Sequence, residues 1–239
     1  MPDYYQKLLE SKTYLDSRQD KARLISRILG DKITSRMENI VDLGSGSGMV
    51  KERLENDWGR PVIGIEYDRP FIRYKSNTCV GDVSQMPFKT AAVDLAICNH
   101  LLEHVDRKSE FISEIKRVLK PDGFIYLTIC NKYKFLEPHY RLPFLSWLPK
   151  KMADWYLKIS FRGTQYQGIE FFSYRELTSM FSREGFKIDN ITWDVITQNS
   201  DKTSLLQKAA VGAIRLAGSK PRNFVMNHLS PQWFLIITK

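Results

Sequence analysis

Three glycines alternate with two serines directly after a short apolar run, in the sequence Ile40-Val41-Asp42-Leu43-Gly44-Ser45-Gly46-Ser47-Gly48. Glycine lets a backbone approach a ligand closely, and a helix that starts after such a loop has N–H groups free to bind it. The pattern therefore predicts a strand, a ligand-binding loop and the start of a helix. The G-x-G-x-G spacing differs from that of dinucleotide folds and P-loops, and no Lys-Ser or Lys-Thr follows Gly48. We therefore do not expect a nucleoside triphosphate site, and a glycine-rich turn without a ligand is the alternative.

Polar residues end the next three apolar runs as well. Glu66 ends the run 61–66, Asp82 lies in the run that begins at Cys79, and Asn99 follows the run 93–98. In an open parallel sheet, ligands bind beyond the carboxyl ends of the strands. The three polar residues and the glycine loop are therefore predicted to meet at one edge of a sheet.

The elements that position this site alternate between apolar runs and amphipathic segments. The pattern predicts strands at 38–43, 61–66, 79–83, 93–98 and 124–130, helices at 49–57 and 106–119, and a turn at 121–123. Continuous apolar strands are typical of a parallel sheet that is covered on both faces. We predict one domain, 1–239, with a helical cover at 1–30 and an insertion at 131–169. After the insertion we expect a capped helix at 173–186, a strand at 187–195, a helix at 203–217 and a strand at 232–238.

Five blocks resemble the class I S-adenosylmethionine-dependent methyltransferases, particularly the small-molecule branch that includes ubiquinone- and menaquinone-pathway enzymes. In chain order they are VDLGSGSG (41–48), GIEYD (64–68), GDV (81–83), DLAICNHLLEHV (94–105) and EIKRVLKPDG (114–123). The resemblance implies an α/β fold with a Rossmann-like, seven-stranded, mostly parallel sheet of order 3-2-1-4-5-7-6, sandwiched by helices. It also implies S-adenosyl-L-methionine as the cofactor.

The resemblance implies roles for the candidate cofactor residues. Glu66 would accept hydrogen bonds from both ribose hydroxyls, and Asp82 would accept one from the adenine amino group, beside the N–H of Val83. Asp42 is expected to hold the glycine loop, and Asn99 to face the amino-acid end of the donor. The full predicted set is Asp42, Gly44, Ser45, Gly46, Gly48, Glu66, Tyr67, Asp82, Val83 and Asn99. The structural alternatives are a solvated acid for Glu66 and a turn cap for Asp82.

The residues His100-Leu101-Leu102-Glu103-His104 match the H-x-x-E-H zinc pattern. That pattern needs a helix, whereas here it follows a predicted strand, so we exclude a protease. Some related O-methyltransferases hold a divalent metal at this point with E-x-x-E-H, but this chain has His100 in place of the first Glu, and hard cations prefer oxygen ligands. We therefore predict no metal site, and expect Glu103 and His104 to support the loop. His104 is also a candidate catalytic residue.

The insertion 131–169 lies where this family usually builds its acceptor pocket. It contains nine aromatic residues and has seven Lys and Arg residues against two acids, which places +5 of the chain's net +9 in this segment. Met152, Trp155, Tyr156 and Ile159 share one face of a predicted helix. Two interpretations stay open: residues 142–160 contact an anionic membrane or a lipid-tailed acceptor, or they form a lid whose aromatics pack on the domain. His139 is the candidate general base because imidazole titrates near neutral pH, and a packed structural histidine is the alternative.

Composition and cysteine spacing indicate in which compartment the protein is expected. No apolar run approaches the ~20 residues of a membrane span, and the first residues lack the apolar core of a secretory leader. The three cysteines form no C-x-x-C pair, which predicts reduced thiols and a cytoplasmic protein, with peripheral membrane contact if the interfacial interpretation holds.

The leading hypothesis is methyl transfer to a small or lipid-linked acceptor, and we expect it at oxygen. An RNA-modifying methyltransferase is a second hypothesis, suggested by the basic composition. The chain has neither the Asn/Asp-Pro-Pro-aromatic motif of base methylation nor a visible RNA-binding module, so we do not expect a nucleic-acid partner. The third hypothesis is a non-catalytic scaffold protein that keeps the cofactor fold. The oligomeric state and the acceptor are not predicted.

Overall fold

The first apolar run, Ile40–Leu43, is buried along its whole length, as expected for a strand covered on both faces. The computed structural model describes residues 10–137, 139–166, 169–198 and 218–239, and the single positions 212, 214 and 216. Its seven-stranded sheet has the order β3-β2-β1-β4-β5-β7-β6, which confirms the predicted order. The strands are β1 (Ile40–Leu43), β2 (Ile63–Glu66), β3 (Thr78–Val80), β4 (Val93–Asn99), β5 (Leu119–Cys130), β6 (Lys187–Asn190) and β7 (Gln232–Thr238).

Helices alternate with the strands. They are α1 (Lys12–Leu29), α2 (Met49–Trp58), α3 (Lys108–Val118), α4 (Lys150–Ile159), α5 (Tyr174–Arg183), α6 (Thr192–Gln198) and α7 (Ser219–His228). The start of α5 is fixed by a capping box, in which Ser173 accepts from the N–H of Glu176 and the Glu176 side chain accepts from the N–H of Ser173. No helix of the described residues is long and apolar enough to cross a membrane.

Parallel pairing brings the candidate cofactor residues to one edge of the sheet. β1 pairs in parallel with β2 and with β4, and β2 pairs in parallel with β3. The glycine loop after Leu43, Glu66 at the end of β2 and Asn99 at the end of β4 therefore lie at the carboxyl ends of neighbouring strands.

The predicted turn at 121–123 is wrong, because these residues belong to β5. Gly123 is required there for close approach between strands. A Cβ added to it would lie 2.8 Å from the carbonyl oxygen of Val93 and 3.0 Å from that of Asp94. The Pro-Asp-Gly sequence suggested a turn, but its glycine instead lets β5 pack tightly beside β4.

Two predicted strands extend past the C-terminal ends of the observed strands. β3 ends at Val80, and the chain then turns because Asp82 accepts a hydrogen bond from the N–H of Ser84 at 2.7 Å. β6 ends at Asn190, whose side-chain oxygen accepts from the N–H of Thr192 and starts α6. The predicted helix 203–217 lies outside the described residues apart from positions 212, 214 and 216, and residues 1–9 of the predicted cover also lie outside them.

The chain divides into two compact units. The first comprises 1–99, 107–126 and 238–239, and the second comprises 100–106 and 127–237. All ten candidate cofactor residues belong to the first unit, and the insertion 131–169 belongs to the second. The assignment of 1–239 to a single domain stays a prediction.

Candidate active site

The glycine loop adopts a conformation that only glycine tolerates well. Gly44, Gly46 and Gly48 have φ values of 65°, 57° and 81°, in the left-handed region. The loop also has no room for larger side chains at two of its glycines. A Cβ on Gly46 would lie 3.2 Å from the Phe71 ring, and one on Gly48 would lie 2.8 Å from the Tyr74 carbonyl oxygen. The loop is therefore pressed against residues 71–74, and both the turn and the close packing require glycine.

Glu66 holds the glycine loop in place. Its carboxylate accepts from the N–H of Gly46 at 2.7 Å and, through the other oxygen, from the N–H of Asp68 at 2.9 Å. Asp42 is predicted to hold the loop, whereas the side chain that contacts Gly46 is that of Glu66. Each carboxylate oxygen has two acceptor positions, so Glu66 retains one on each oxygen for a ligand hydroxyl.

The helical cover contributes side chains that the sequence argument missed. Tyr14 on α1 lies with its hydroxyl 3.3 Å from Ser47 Oγ and its ring centroid 6.3 Å from that of Phe71. One turn later, the Arg18 guanidinium lies 4.7 Å above the Tyr14 ring. A tyrosine and an arginine four residues apart on an amphipathic helix look like an ordinary solvated face, so only the packing of α1 on the loop reveals them.

Asp42 is buried beneath the loop. Burial raises its pKa to about 7; the Glu66 charge adds to the rise, and the positive charges of Lys51 and Arg18 oppose it. Near neutral pH this side chain is therefore partly protonated and can donate as well as accept a hydrogen bond.

Asp82 lies in the loop after β3. The hydrogen bond from the N–H of Ser84, and then the Arg107 guanidinium, hold its pKa below the ordinary value. Arg107 donates to the oxygen that Ser84 leaves open. The turn cap that the sequence left as an alternative is thus present, and the carboxylate stays ionised. The Ser84 side chain also donates to Asp82, which leaves one acceptor position on the carboxylate for a ligand amino group.

The remaining candidates occupy the same edge in the first unit. Tyr67 is exposed directly after β2, Val83 is half-buried beside Asp82, and Asn99 is the half-buried last residue of β4. Their contacts with a ligand stay predictions.

Comparison with known proteins identifies the family of this domain and its cofactor. Residues 41–127 match a family model described as a methyltransferase domain. Residues 41–127 therefore carry a class I S-adenosylmethionine-dependent methyltransferase domain. This confirms the resemblance, and with it the predicted cofactor, S-adenosyl-L-methionine.

Individual relatives agree with this methyltransferase assignment. A probable S-adenosylmethionine-dependent methyltransferase of Mycolicibacterium smegmatis is 28% identical over 103 residues, which are 41% of this chain and 40% of that protein. A probable tocopherol O-methyltransferase of Oryza sativa is 28% identical over 148 residues, which are 54% of this chain and 40% of that protein. The chain thus spans about 40% of the length of each of these relatives.

A solved structure shows the same methyltransferase fold. The methyltransferase of Archaeoglobus fulgidus superposes with a TM-score of 0.55 at 16% identity, covering 95% of this chain and 99% of that one.

The first unit has side chains that fit S-adenosyl-L-methionine. Ser45 Oγ and Arg18 Nε are buried without a hydrogen-bond partner among the described residues, so both are left for a ligand beside the loop. Arg18 can pair with the carboxylate of the donor's amino acid, Glu66 with the ribose hydroxyls and Asp82 with the adenine amino group. The bound donor supplies a methyl group on a positively charged sulfur.

The two candidate catalytic histidines lie side by side in the second unit. The rings of His104 and His139 meet edge to face, with centroids 5.6 Å apart. His139 Nδ1 lies 2.8 Å from Oε1 of Glu137, whose side chain is completely buried. The other Glu137 oxygen accepts from the N–H of Tyr140 at 2.6 Å. Sequence reasoning named His139 but missed Glu137, because a lone acid in a basic segment carries no spacing signal.

The H-x-x-E-H residues form a small cluster directly after β4. His100 has a left-handed φ of 53°, and its Nδ1 lies 3.2 Å from Glu103 Oε1 and 3.9 Å from Cys130 Sγ. The other Glu103 oxygen is buried and has no partner in the described part of the chain. Within that part, no group of three or more His, Cys, Asp or Glu side chains could hold a metal ion.

Helix α4 has two apolar faces. Ala153 and Leu157 are buried and pack with Leu142 and Leu145. The opposite side chains, Met152, Trp155 and Ile159, are 54%, 63% and 50% exposed. Three of the four residues predicted to form one apolar face are therefore exposed. The helix packs instead through Ala153 and Leu157.

Proposed function

We propose that this protein transfers a methyl group from S-adenosyl-L-methionine to an oxygen atom of a small or lipid-linked acceptor, with His139 as the general base. The observation that carries this proposal is the hydrogen bond between His139 Nδ1 and the buried Glu137. His139 Nδ1 faces the Glu137 carboxylate, which leaves Nε2 as the ring nitrogen that can face an acceptor hydroxyl. His139 is thereby oriented as a base.

The reaction needs a base only when the acceptor is a hydroxyl. His139 Nε2 takes the hydroxyl proton while an electron pair of the acceptor oxygen forms the new bond to the methyl carbon. The donor, when bound, would supply the methyl group and would leave as a neutral thioether that keeps the electrons of the carbon–sulfur bond. Glu137 stabilises the imidazolium that forms, and His104 packs against its ring. The relative from Oryza sativa, whose printed name specifies O-methylation, supports oxygen as the target.

Labelled methyl transfer tests the base. Incubating the protein with a radiolabelled methyl donor and a total lipid extract would reveal the acceptor as the labelled product. We expect His139→Ala to lower kcat by about 10²-fold or more, with added imidazole restoring part of it. Glu137→Gln should lower kcat with little change in KM, because Glu137 positions His139 without touching the acceptor.

A matched histidine variant controls for stability. His228→Ala removes a ring that packs on Tyr174 and Phe224, and it should leave kcat unchanged. Full activity of both His139→Ala and Glu137→Gln would refute the assignment of the base. Label found only on nitrogen or carbon would refute O-methylation.

We also propose that residues 142–160 contact a membrane surface that supplies a lipid-linked acceptor. The exposed apolar face of α4, defined as Met152, Trp155 and Ile159, supports this proposal, because large apolar side chains gain free energy by leaving water. Lys150, Lys151 and Lys158 on the same helix would each contribute about 1 kcal/mol of attraction to an anionic surface.

Vesicle flotation tests the membrane contact. We expect the protein to float with anionic vesicles, and Trp155→Ser/Ile159→Ser to lower the bound fraction about tenfold or more. Phe224→Ser/Leu229→Ser removes two side chains that are also exposed, 60% and 67%, and should float like the parent. Equal flotation of both double variants, or none of the parent, would refute the contact.

A further inference from the structure

A basic cleft of about 650 Å³ lies within the second unit. It is built just beyond the end of β5, where the N–H of Lys132 donates to the carbonyl oxygen of Phe172 at 2.9 Å. The start of the insertion, the segment before α5 and one face of α5 form its walls. The cofactor residues and His139 are not among its lining residues, so nothing in the proposed reaction accounts for it.

Cations line this cleft in excess of acids. Its lining includes Lys132, Lys150, Arg175 and Arg183 against two acids, Glu170 and Glu176. Arg175, Ser179 and Arg183 follow one another at intervals of four residues, so α5 presents them on one face.

Lys132 and Lys150 each lie close to a carboxylate, whereas Arg175 and Arg183 have no such partner among the described residues. Lys132 lies 3.8 Å from Glu176, and Lys150 lies 3.1 Å from Asp154. In the described ranges, neither Arg175 nor Arg183 has a carboxylate within 4.0 Å. These two guanidinium groups, two helical turns apart, thus form no ion pair with a carboxylate of the described residues, although Glu170 also lines the cleft.

Most of the remaining lining is apolar, and Ser146 and Tyr166 add hydroxyl groups. Phe171 and Phe172 are almost completely buried, and Leu148, Ile169 and Met180 complete the apolar part. Tyr166 also lines the cleft, and its buried hydroxyl has no hydrogen-bond partner among the residues described. The cleft therefore combines unpaired donors with an apolar wall.

We propose that this cleft binds the phosphate group of an amphipathic acceptor, with Arg175 and Arg183 on the phosphate and the apolar wall along the attached chain. Guanidinium groups donate paired hydrogen bonds that match phosphate oxygens, and a dianion balances two unpaired cations. This inference rests on the proposed function, because it assigns the cleft to part of the acceptor.

Titration calorimetry in a phosphate-free buffer tests this cleft without any methyl donor. The probes are inorganic phosphate and monododecyl phosphate below its micelle concentration. We expect monododecyl phosphate to bind more tightly than inorganic phosphate, and Arg175→Ala/Arg183→Ala to weaken it about tenfold or more. The control Arg36→Ala/Lys187→Ala removes the same charge from exposed positions outside the cleft and should bind like the parent.

Vesicles of phosphatidylcholine, with and without phosphatidic acid, separate the two sources of such a phosphate. Arginine-dependent binding of monododecyl phosphate supports a soluble amphiphile. Arginine-dependent binding only to vesicles with phosphatidic acid supports a membrane lipid as the source. Equal binding by the parent and Arg175→Ala/Arg183→Ala in both assays would overturn the proposal. So would inorganic phosphate binding as tightly as monododecyl phosphate. Either failure would leave the methyl-transfer assay of His139 and Glu137 unaffected.

Discussion

Replacing Asp42 by asparagine should change how the stability of this protein depends on pH. Burial raises the Asp42 pKa from 3.8 to about 7. Between these two values the folded protein keeps a proton that the unfolded chain releases. The free energy of unfolding of the parent should therefore fall as pH rises from about 4 to about 7, and then level off. At 1.36 kcal/mol for each pH unit, the difference between 3.8 and about 7 corresponds to about 4 kcal/mol.

Asp42→Asn removes this titration while keeping the shape of the side chain. As the pH rises from about 4 to about 8, we expect the free energy of unfolding of the variant, relative to that of the parent, to increase by about 4 kcal/mol. This increase is a large part of a typical stability of about 5–15 kcal/mol. Urea unfolding followed by circular dichroism, at fixed ionic strength across this range, measures the difference. Histidine titrations are common to both proteins and cancel in the comparison.

Asp94→Asn is the matched control, and it should behave in the opposite way. Burial raises the pKa of Asp94, but hydrogen bonds from the N–H of Asn39 and from Lys120 outweigh it and hold the pKa below its ordinary value. Its ionised form therefore stabilises the fold at neutral pH, and the variant should lose stability there. If the difference between Asp42→Asn and the parent were the same at every pH, or negative at about pH 8, Asp42 would be ionised in the folded protein and the argument refuted.

Two further substitutions test the cofactor edge. Gly48→Ala should destabilise the fold far more than Gly59→Ala in thermal melts, since both have a positive φ but only the Cβ at Gly48 would meet a backbone oxygen, at 2.8 Å. Gly59→Ala should lose only about 1–2 kcal/mol from backbone strain, and equal losses would contradict the close packing. Arg18→Ala should weaken S-adenosylhomocysteine binding about tenfold in calorimetry, because it removes a cation beside the loop. Arg36→Ala, an exposed arginine, should leave that affinity unchanged, and equal affinities of all three proteins would exclude Arg18 from the site.

The buried strands and the glycine loop were predictable because they depend on local patterns, whereas the strand order and the cofactor were implied by the family resemblance. A buried strand such as Ile40–Leu43 needs a continuous apolar run, and the left-handed turns after it need glycine at Gly44, Gly46 and Gly48. Both requirements act on neighbours in the chain, so they are visible without the fold. The turn at 121–123 was mispredicted for the opposite reason, since Gly123 serves contact with Val93, thirty residues away.

The sequence alone determined which residues follow the strands of this protein. Its resemblance to a family indicated that the methyl donor is S-adenosyl-L-methionine. Only the tertiary structure decided which of them are buried, paired or exposed. It placed Glu66 on the N–H of Gly46, Arg18 on α1 above the Tyr14 ring, and Glu137 against His139. Desolvation and pairing arise from packing between distant segments, and no spacing along the chain records them.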